Sequence, residues 1–202
     1  AFKIGSGECD NFLLIEHIAS IGKPVILSTG MQTSSSIKNP VSIIEASNVD
    51  YAILECTNIY PCPPDQISLG SITDLYANFP NAEIGFSGHG TGFEGTLGAV
   101  ALGSQVIEKH VTLNKEMAGP DHAASLNFEQ FKELILLSNN IFKCLGSKEK
   151  KFLDSEKILH SVLGKKFYIK KDLKSGHRLK FNDLRTAVTR SSKGITPEKL
   201  YN

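Results

Sequence analysis

The sequence predicts an α/β protein built on a parallel β-sheet, and three observations carry that prediction. Short apolar runs alternate with helix-length segments, in β-α order, from Phe2 to Leu145. Each run is too apolar to be a surface strand with one wet face, as in a strand covered on both faces. Strand starts recur at intervals of roughly 20 to 35 residues, the size of one unit of a (β/α)8 barrel.

The elements follow in order. Residues 2–4 form the first strand candidate, and residues 10–21 a helix closed by Gly22. Strand 25–27 leads to helix 36–47, strand 51–54 to helix 66–78, and strand 84–86 to helix 92–103. Strand 106–108 precedes the longest helical segment, 128–145, closed by Gly146. Five strands cannot close an eight-stranded barrel. An open doubly wound sheet is the alternative, but polar residues follow every strand here and are not gathered at one switch point. The favoured reading is the last five units of a (β/α)8 TIM barrel, spanning residues 1–147, with three units outside the sequence. The opening residues already read as strand body and ITPEKLYN (195–202) as the start of a helix, so the chain is expected to be a piece of a longer protein.

At Lys148 the composition becomes lysine-rich, and 148–160 is expected to be a helix-poor linker. Residues 161–202 form a small second domain, with a strand candidate at 167–169, a glycine-centred turn in KKDLKSGHRL and a short turn at 181–184. About 40 residues without a cysteine staple bury little core, so this piece is expected to lean on the barrel or on another subunit.

Composition narrows the function. Lys+Arg number 22 against 21 Asp+Glu, a net charge of +1, which lacks the basic excess of a nucleic-acid binder. No apolar stretch approaches the ~18 residues of a membrane-spanning helix. Cys9, Cys56, Cys62 and Cys144 show no C-x-x-C pairing, so neither a disulfide framework nor a thiolate zinc site is indicated, and a reducing, cytoplasmic setting is expected.

Chemistry in a parallel barrel sits at the carboxyl ends of the strands. Those positions hold Lys3, Ser6 and Glu8; Ser28 and Thr29; Thr57, Asn58 and Tyr60; Ser87 and His89; Glu108 and His110. Lys3, Ser6, Ser28, Asn58 and Ser87 suit an oxyanion such as phosphate, which takes a cation, hydroxyls and an amide where no single glycine-rich loop supplies donors. The competing account of any one hydroxyl is that it caps the next helix. His89 and His110 end neighbouring strands and could share a divalent metal, or simply form hydrogen bonds. Glu8 is the acid/base candidate, with a salt bridge to Lys3 as its rival role. His17, His160 and His177 read as surface, while His122 lies beside Asp121 in the loop AGPDHAAS.

The motifs FKIGSGE, PVILSTGMQ, CTNIYP, GFSGHGTG, ALGSQVIEKHVTL and GPDHAASL, in this order, resemble the sialic acid (N-acetylneuraminate) synthase family. The resemblance implies a phosphoenolpyruvate-dependent, C–C bond-forming transferase. Such an enzyme condenses phosphoenolpyruvate with N-acetylmannosamine or a related N-acyl amino sugar, giving a nonulosonic acid and phosphate. It assigns Lys3, Ser6, Ser28, Asn58 and Ser87 to phosphoenolpyruvate, His89 and His110 to Mn2+ or Mg2+, and Glu8 to the reacting carbons. Tyr60, Glu108 and Asp121 fall around the acceptor sugar. It further implies that the tail is part of an antifreeze-like (SAF) domain, that the protein is a domain-swapped homodimer, and that Arg190 reaches into the partner's barrel. Two motifs depart from the family pattern: Ser87-Gly88-His89 replaces a common S-D-H, and Arg190-Ser191-Ser192 replaces R-P-G. Another glutamate and lysine of the family site belong to the units outside the sequence, so this piece alone is expected to be inactive. The alternatives are an aldolase-type barrel with a Schiff-base amine at Lys3 or Lys109, and a non-catalytic carbohydrate or phosphate binder.

Overall fold

The computed structural model describes residues 1–188 and 194–201, in two compact units, Ala1–Gly146 and Ser147–Asn202. The first unit is a five-stranded sheet in the order β1 (Phe2–Ile4), β2 (Val25–Ser28), β3 (Tyr51–Cys56), β4 (Glu83–Gly88) and β5 (Val106–Lys109). Every neighbouring pair is parallel. The crossovers carry α1 (Phe12–Ser20), α2 (Lys38–Ala46), α3 (Gly70–Asn78) and α4 (Glu94–Ala101), and α5 (Phe128–Leu145) follows β5.

Register sorts the strand side chains onto two faces, because successive Cβ atoms point to opposite sides. Ile4, Leu27, Ile53 and Ile84 are aligned across four strands and are all buried. They form one core cluster with Ile15 of α1, Ile44 of α2, Ile72 and Leu75 of α3 and Ala99 of α4. The continuous apolar runs follow from this packing, since the opposite face is covered as well through Leu54. Asn11 caps α1 by accepting from the Leu14 amide, and Asn127 with Gln130 forms a capping box at the start of α5. Gly22, at φ +72°, lets the chain leave α1 in a left-handed conformation.

The five strands of this sheet match expectation to within two residues at either end, while several helices are shorter than the sequence pattern suggests. The expected helix at 66–78 divides into a 3-10 turn at Pro64–Gln66 and α3 beginning at Gly70. All four cysteines are free thiols.

The second unit holds α6 (Glu156–Leu163), an antiparallel pair of β6 (Lys165–Ile169) and β7 (Leu184–Val188), and α7 (Pro197–Tyr201). Helix α6 corrects the expectation of a helix-poor linker over 148–160. Ile158, Leu159, Val162 and Leu163 recur at helical spacing behind the lysines, and that periodicity outweighs the charged composition. In the expected turn region, His177 pairs with Asp183 at 2.8 Å. No helix among the described residues is long and apolar enough to cross a membrane.

Candidate active site

The carboxyl ends of the five strands enclose a cavity of about 490 Å3, within the ~300–1,000 Å3 of small-molecule sites. Strand register builds its floor. Cys56 lies beside Ser87, and Ser87 beside Glu108, so three neighbouring strands present these side chains on one face. Lys3, Ser6, Ser28, Asn58 and Ser87, the five residues expected to hold an oxyanion, all line it. So do Tyr60, His89, Glu108 and His110.

The wall is a chain of donors. Ser6 Oγ accepts from the Gly30 amide at 3.0 Å and donates to Cys56 Sγ at 3.5 Å. Burial pushes the Cys56 thiol pKa up, so the thiol stays protonated and donates to Asn58 Oδ1 at 3.2 Å. With its oxygen engaged, Asn58 turns its NH2 group toward other partners. Gly30 permits this arrangement, since a Cβ there would overlap Asn58 Oδ1 and lie 2.8 Å from Ser6 Oγ. Ser28 Oγ is buried and has no partner within the described protein. A buried hydroxyl left unpaired costs about 1–3 kcal/mol, which is recovered when a ligand oxygen reaches it. Lys3 Nζ donates to the Ile4 carbonyl at 3.0 Å and stands 3.4 Å from Glu108 Oε2. The same carboxylate oxygen accepts from Ser87 Oγ at 2.8 Å. Glu8 does not form the salt bridge to Lys3 that was its rival role; Lys3 pairs with Glu108 instead.

The two histidines meet at the other side. The rings of His89 and His110 lie edge to face, with centroids 5.2 Å apart, and Tyr60 stacks on His89 at 4.0 Å. His89 Nδ1 contacts the Thr57 carbonyl at 2.8 Å. A carbonyl only accepts, so Nδ1 carries the proton and Nε2 the lone pair. Burial lowers the His89 pKa, and the imidazole is neutral at neutral pH. That is the state a metal ligand requires. Among the described residues no group of three or more His, Cys, Asp or Glu side chains could hold a metal. The two imidazoles alone fall short of a complete coordination shell.

Three predicted positions stand apart. Glu8 does not line the cavity; it sits in a 3-10 turn, where its carboxylate accepts from Asn11 Nδ2 at 2.7 Å. Asp121 is also absent from the lining, but its Oδ2 lies 3.8 Å from His110 Nδ1. Arg190 lies outside the described residues.

Residues 1–150 match the model of the NeuB family. The chain belongs to the NeuB family. It is 36% identical over 201 residues to human N-acetylneuraminate-9-phosphate synthase, covering 100% of this chain and 56% of that protein. It is 37% identical over 198 residues to the N,N'-diacetyllegionaminic acid synthase of Campylobacter jejuni, covering 96% and 58%. The sialic acid synthetase of Leptospira borgpetersenii, solved with citrate, superposes with a TM-score of 0.74 at 32% identity, over 78% of this chain and 55% of that one. The chain therefore spans little more than half the length of the curated relatives it matches.

Two cavity residues of this NeuB-family chain escape the sequence reading as site residues of the favoured reaction. Cys56 is expected only to be a reduced thiol, and its place at a strand end, one pleat from Leu54, is what signals the cavity face. Lys109 lies between two expected site residues, so strand alternation directs it away from them. Its Nζ donates to the Gly90 carbonyl, and burial brings its pKa down to about 8.

Proposed function

We propose that this chain carries the phosphoenolpyruvate site and part of the acceptor site of a nonulosonic acid synthase. The observation that supports this reading is the convergence of Lys3, Ser28, Asn58 and Ser87, from four successive strands, on the cavity that also holds His89 and His110. In the reaction, C3 of phosphoenolpyruvate forms a bond to the aldehyde carbon of an open-chain N-acyl amino sugar, and the aldehyde oxygen gains a proton. Water adds at C2, and the C–O bond to phosphorus-bearing oxygen breaks to release inorganic phosphate.

A divalent cation, Mn2+ or Mg2+, held by His89 and His110 would supply Lewis acidity at the aldehyde oxygen. The remaining tasks belong to the chain's own groups. Lys3 balances the charge of phosphate and carboxylate, while the unpaired Ser28 hydroxyl and the Asn58 NH2 donate to their oxygens. Glu108 is the carboxylate at the cavity wall, positioned by Ser87 and Lys3 to accept from acceptor-sugar hydroxyls beside Tyr60. For Glu8 to act on the reacting carbons, its carboxylate must exchange Asn11 for substrate. The reading extends to three further β/α units closing a (β/α)8 barrel, to an SAF domain built on the β6–β7 pair, and to a cytoplasmic homodimer in which Arg190 reaches the partner's barrel.

The test is inorganic phosphate release by the full-length protein with phosphoenolpyruvate and, in turn, N-acetylmannosamine, its 6-phosphate and a diacetamido sugar. Metal-dependent release with one acceptor supports the reading and identifies the sugar. No release with any acceptor refutes it and leaves a non-catalytic binder. A pyruvate adduct trapped by borohydride on Lys3 or Lys109 replaces it with aldolase chemistry.

A further inference from the structure

We propose that a second cavity, on the helix side of β3, is a separate ligand site selective for a small organic ammonium ion carrying hydroxyl groups. This cavity, of about 420 Å3, lies where the chain leaves β2 and β3, and shares Cys56 and Asn58 with the first as a common wall. Its charged group is Glu55. Strand alternation turns Glu55 away from Cys56, so the two residues serve opposite faces of the sheet.

Glu55 is half-buried, and burial raises its pKa, with Ser71 as the opposing hydrogen-bonding neighbour. Among the described residues no lysine, arginine or histidine comes within ion-pairing distance of it. A carboxylate taken out of water is normally paired. The mechanism above makes no use of Glu55, and a cationic ligand would supply the missing partner.

The rest of the wall explains the hydroxyl preference. Thr29 Oγ1 donates to the Leu54 carbonyl at 2.8 Å and Thr57 Oγ1 to the Gln66 carbonyl at 3.2 Å. Ser71 Oγ donates to the Ser68 carbonyl at 2.5 Å, and Ser34 Oγ to Asp74 Oδ2 at 2.5 Å. Thr29, Thr57 and Ser34 each spend their single proton on another protein oxygen and present lone pairs to the cavity. These acceptors beside one carboxylate favour a ligand rich in donors and positively charged. A multivalent metal is a poorer match, because no second acidic side chain joins Glu55. The volume also suits a molecule larger than an ion.

This site does not depend on the reaction proposed for the first cavity, and the experiment separates the two. Binding of glucamine, an amino-polyol that is cationic at neutral pH, is measured by isothermal titration calorimetry on the full-length protein, beside sorbitol and N-acetylglucamine. Saturable binding of glucamine is expected, with both neutral analogues weaker by about tenfold or more, the value of one charge-assisted hydrogen bond. Glu55→Gln should weaken glucamine by a similar factor, whereas Lys3→Met, which disables the first cavity, should leave it unchanged. Ser68→Lys, at the exposed rim, should occupy the site with its own ammonium and abolish binding, and carries the test if Glu55→Gln fails to fold. Sorbitol binding as tightly as glucamine, glucamine binding insensitive to both Glu55→Gln and Ser68→Lys, or no saturable binding would each overturn the proposal.

Discussion

Replacing Lys3 by methionine separates an anion-binding lysine from one that merely pairs with a carboxylate. Lys3 Nζ is 3.4 Å from Glu108 Oε2, and the two side chains are 32% and 39% exposed. A pair this open to water contributes about 0–1 kcal/mol to stability, so Lys3→Met should fold. Toward phosphoenolpyruvate the loss is larger, because a charge-assisted hydrogen bond is worth about 1.5–3 kcal/mol, roughly a 10- to 150-fold weaker dissociation constant. Glu108 adds to this loss, since the variant leaves its negative charge at the same wall with only Ser87 Oγ at 2.8 Å. The assay is calorimetric titration of phosphoenolpyruvate into the full-length protein, repeated in a Glu108→Gln background. If Lys3 holds the anion, Lys3→Met weakens binding in both backgrounds, and by less where Glu108 is already neutral. Binding within about threefold of wild type in the Glu108→Gln background would refute the anion role and leave Lys3 as the partner of Glu108 alone.

Gly30→Ala should displace Asn58 and Ser6 together, since a Cβ at Gly30 overlaps both side chains. Phosphoenolpyruvate affinity should fall by about tenfold with an unchanged far-UV circular dichroism spectrum. Glu8→Gln should lower kcat while leaving phosphoenolpyruvate affinity intact; unchanged kcat would remove Glu8 from the reaction and make Glu108 the working carboxylate. EDTA should stop phosphate release and Mn2+ should restore it, with His89→Ala blocking the restoration; EDTA-insensitive turnover removes the metal from the histidine pair. Glu55→Gln should stabilise the protein at neutral pH and lose that advantage in acid. The Glu55 pKa is raised in the folded state above its ordinary 4.5. Its ionisation therefore erodes stability as pH climbs from 4.5 through the folded value, and glutamine removes that erosion. Thermal melts of both proteins from pH 4 to 8 read the difference; parallel curves would show that burial does not raise the Glu55 pKa.

Much of this architecture is legible from the chain because two kinds of pattern coincide. The apolar runs around Ile4, Leu27, Ile53 and Ile84 name the strands, and the polar residues just beyond name the cavity, since in a parallel sheet all those ends lie on one side. What escapes depends on where side chains turn in space. Glu8 shares one short 3-10 turn with Ser6 just after β1, yet that turn carries Ser6 onto the wall and Glu8 toward Asn11. Helix α6 escapes because lysines mask its apolar period. The stretch GTGFEG (90–95) matches the spacing of a dinucleotide loop and leads into α4. Its last glycine has a packing cause instead, as a Cβ at Gly95 would stand 3.0 Å from Ile67 and 3.3 Å from Phe86.

If both proposed sites take ligands, the end of β3 serves two of opposite character. Within three residues the pleat directs Glu55 to the helix side and Cys56 to the cavity of Lys3, and Asn58 lines both spaces. On the Lys3 side the groups facing the cavity are the lysine ammonium, the unpaired Ser28 hydroxyl and the Asn58 amide, which suit an anion. On the Glu55 side the carboxylate and the lone pairs of Thr29, Thr57 and Ser34 suit a cation. The sorting follows from backbone alternation together with the choice of hydrogen-bond partner for each hydroxyl. The wall between them rests on the protonated Cys56 thiol that holds Asn58 Oδ1.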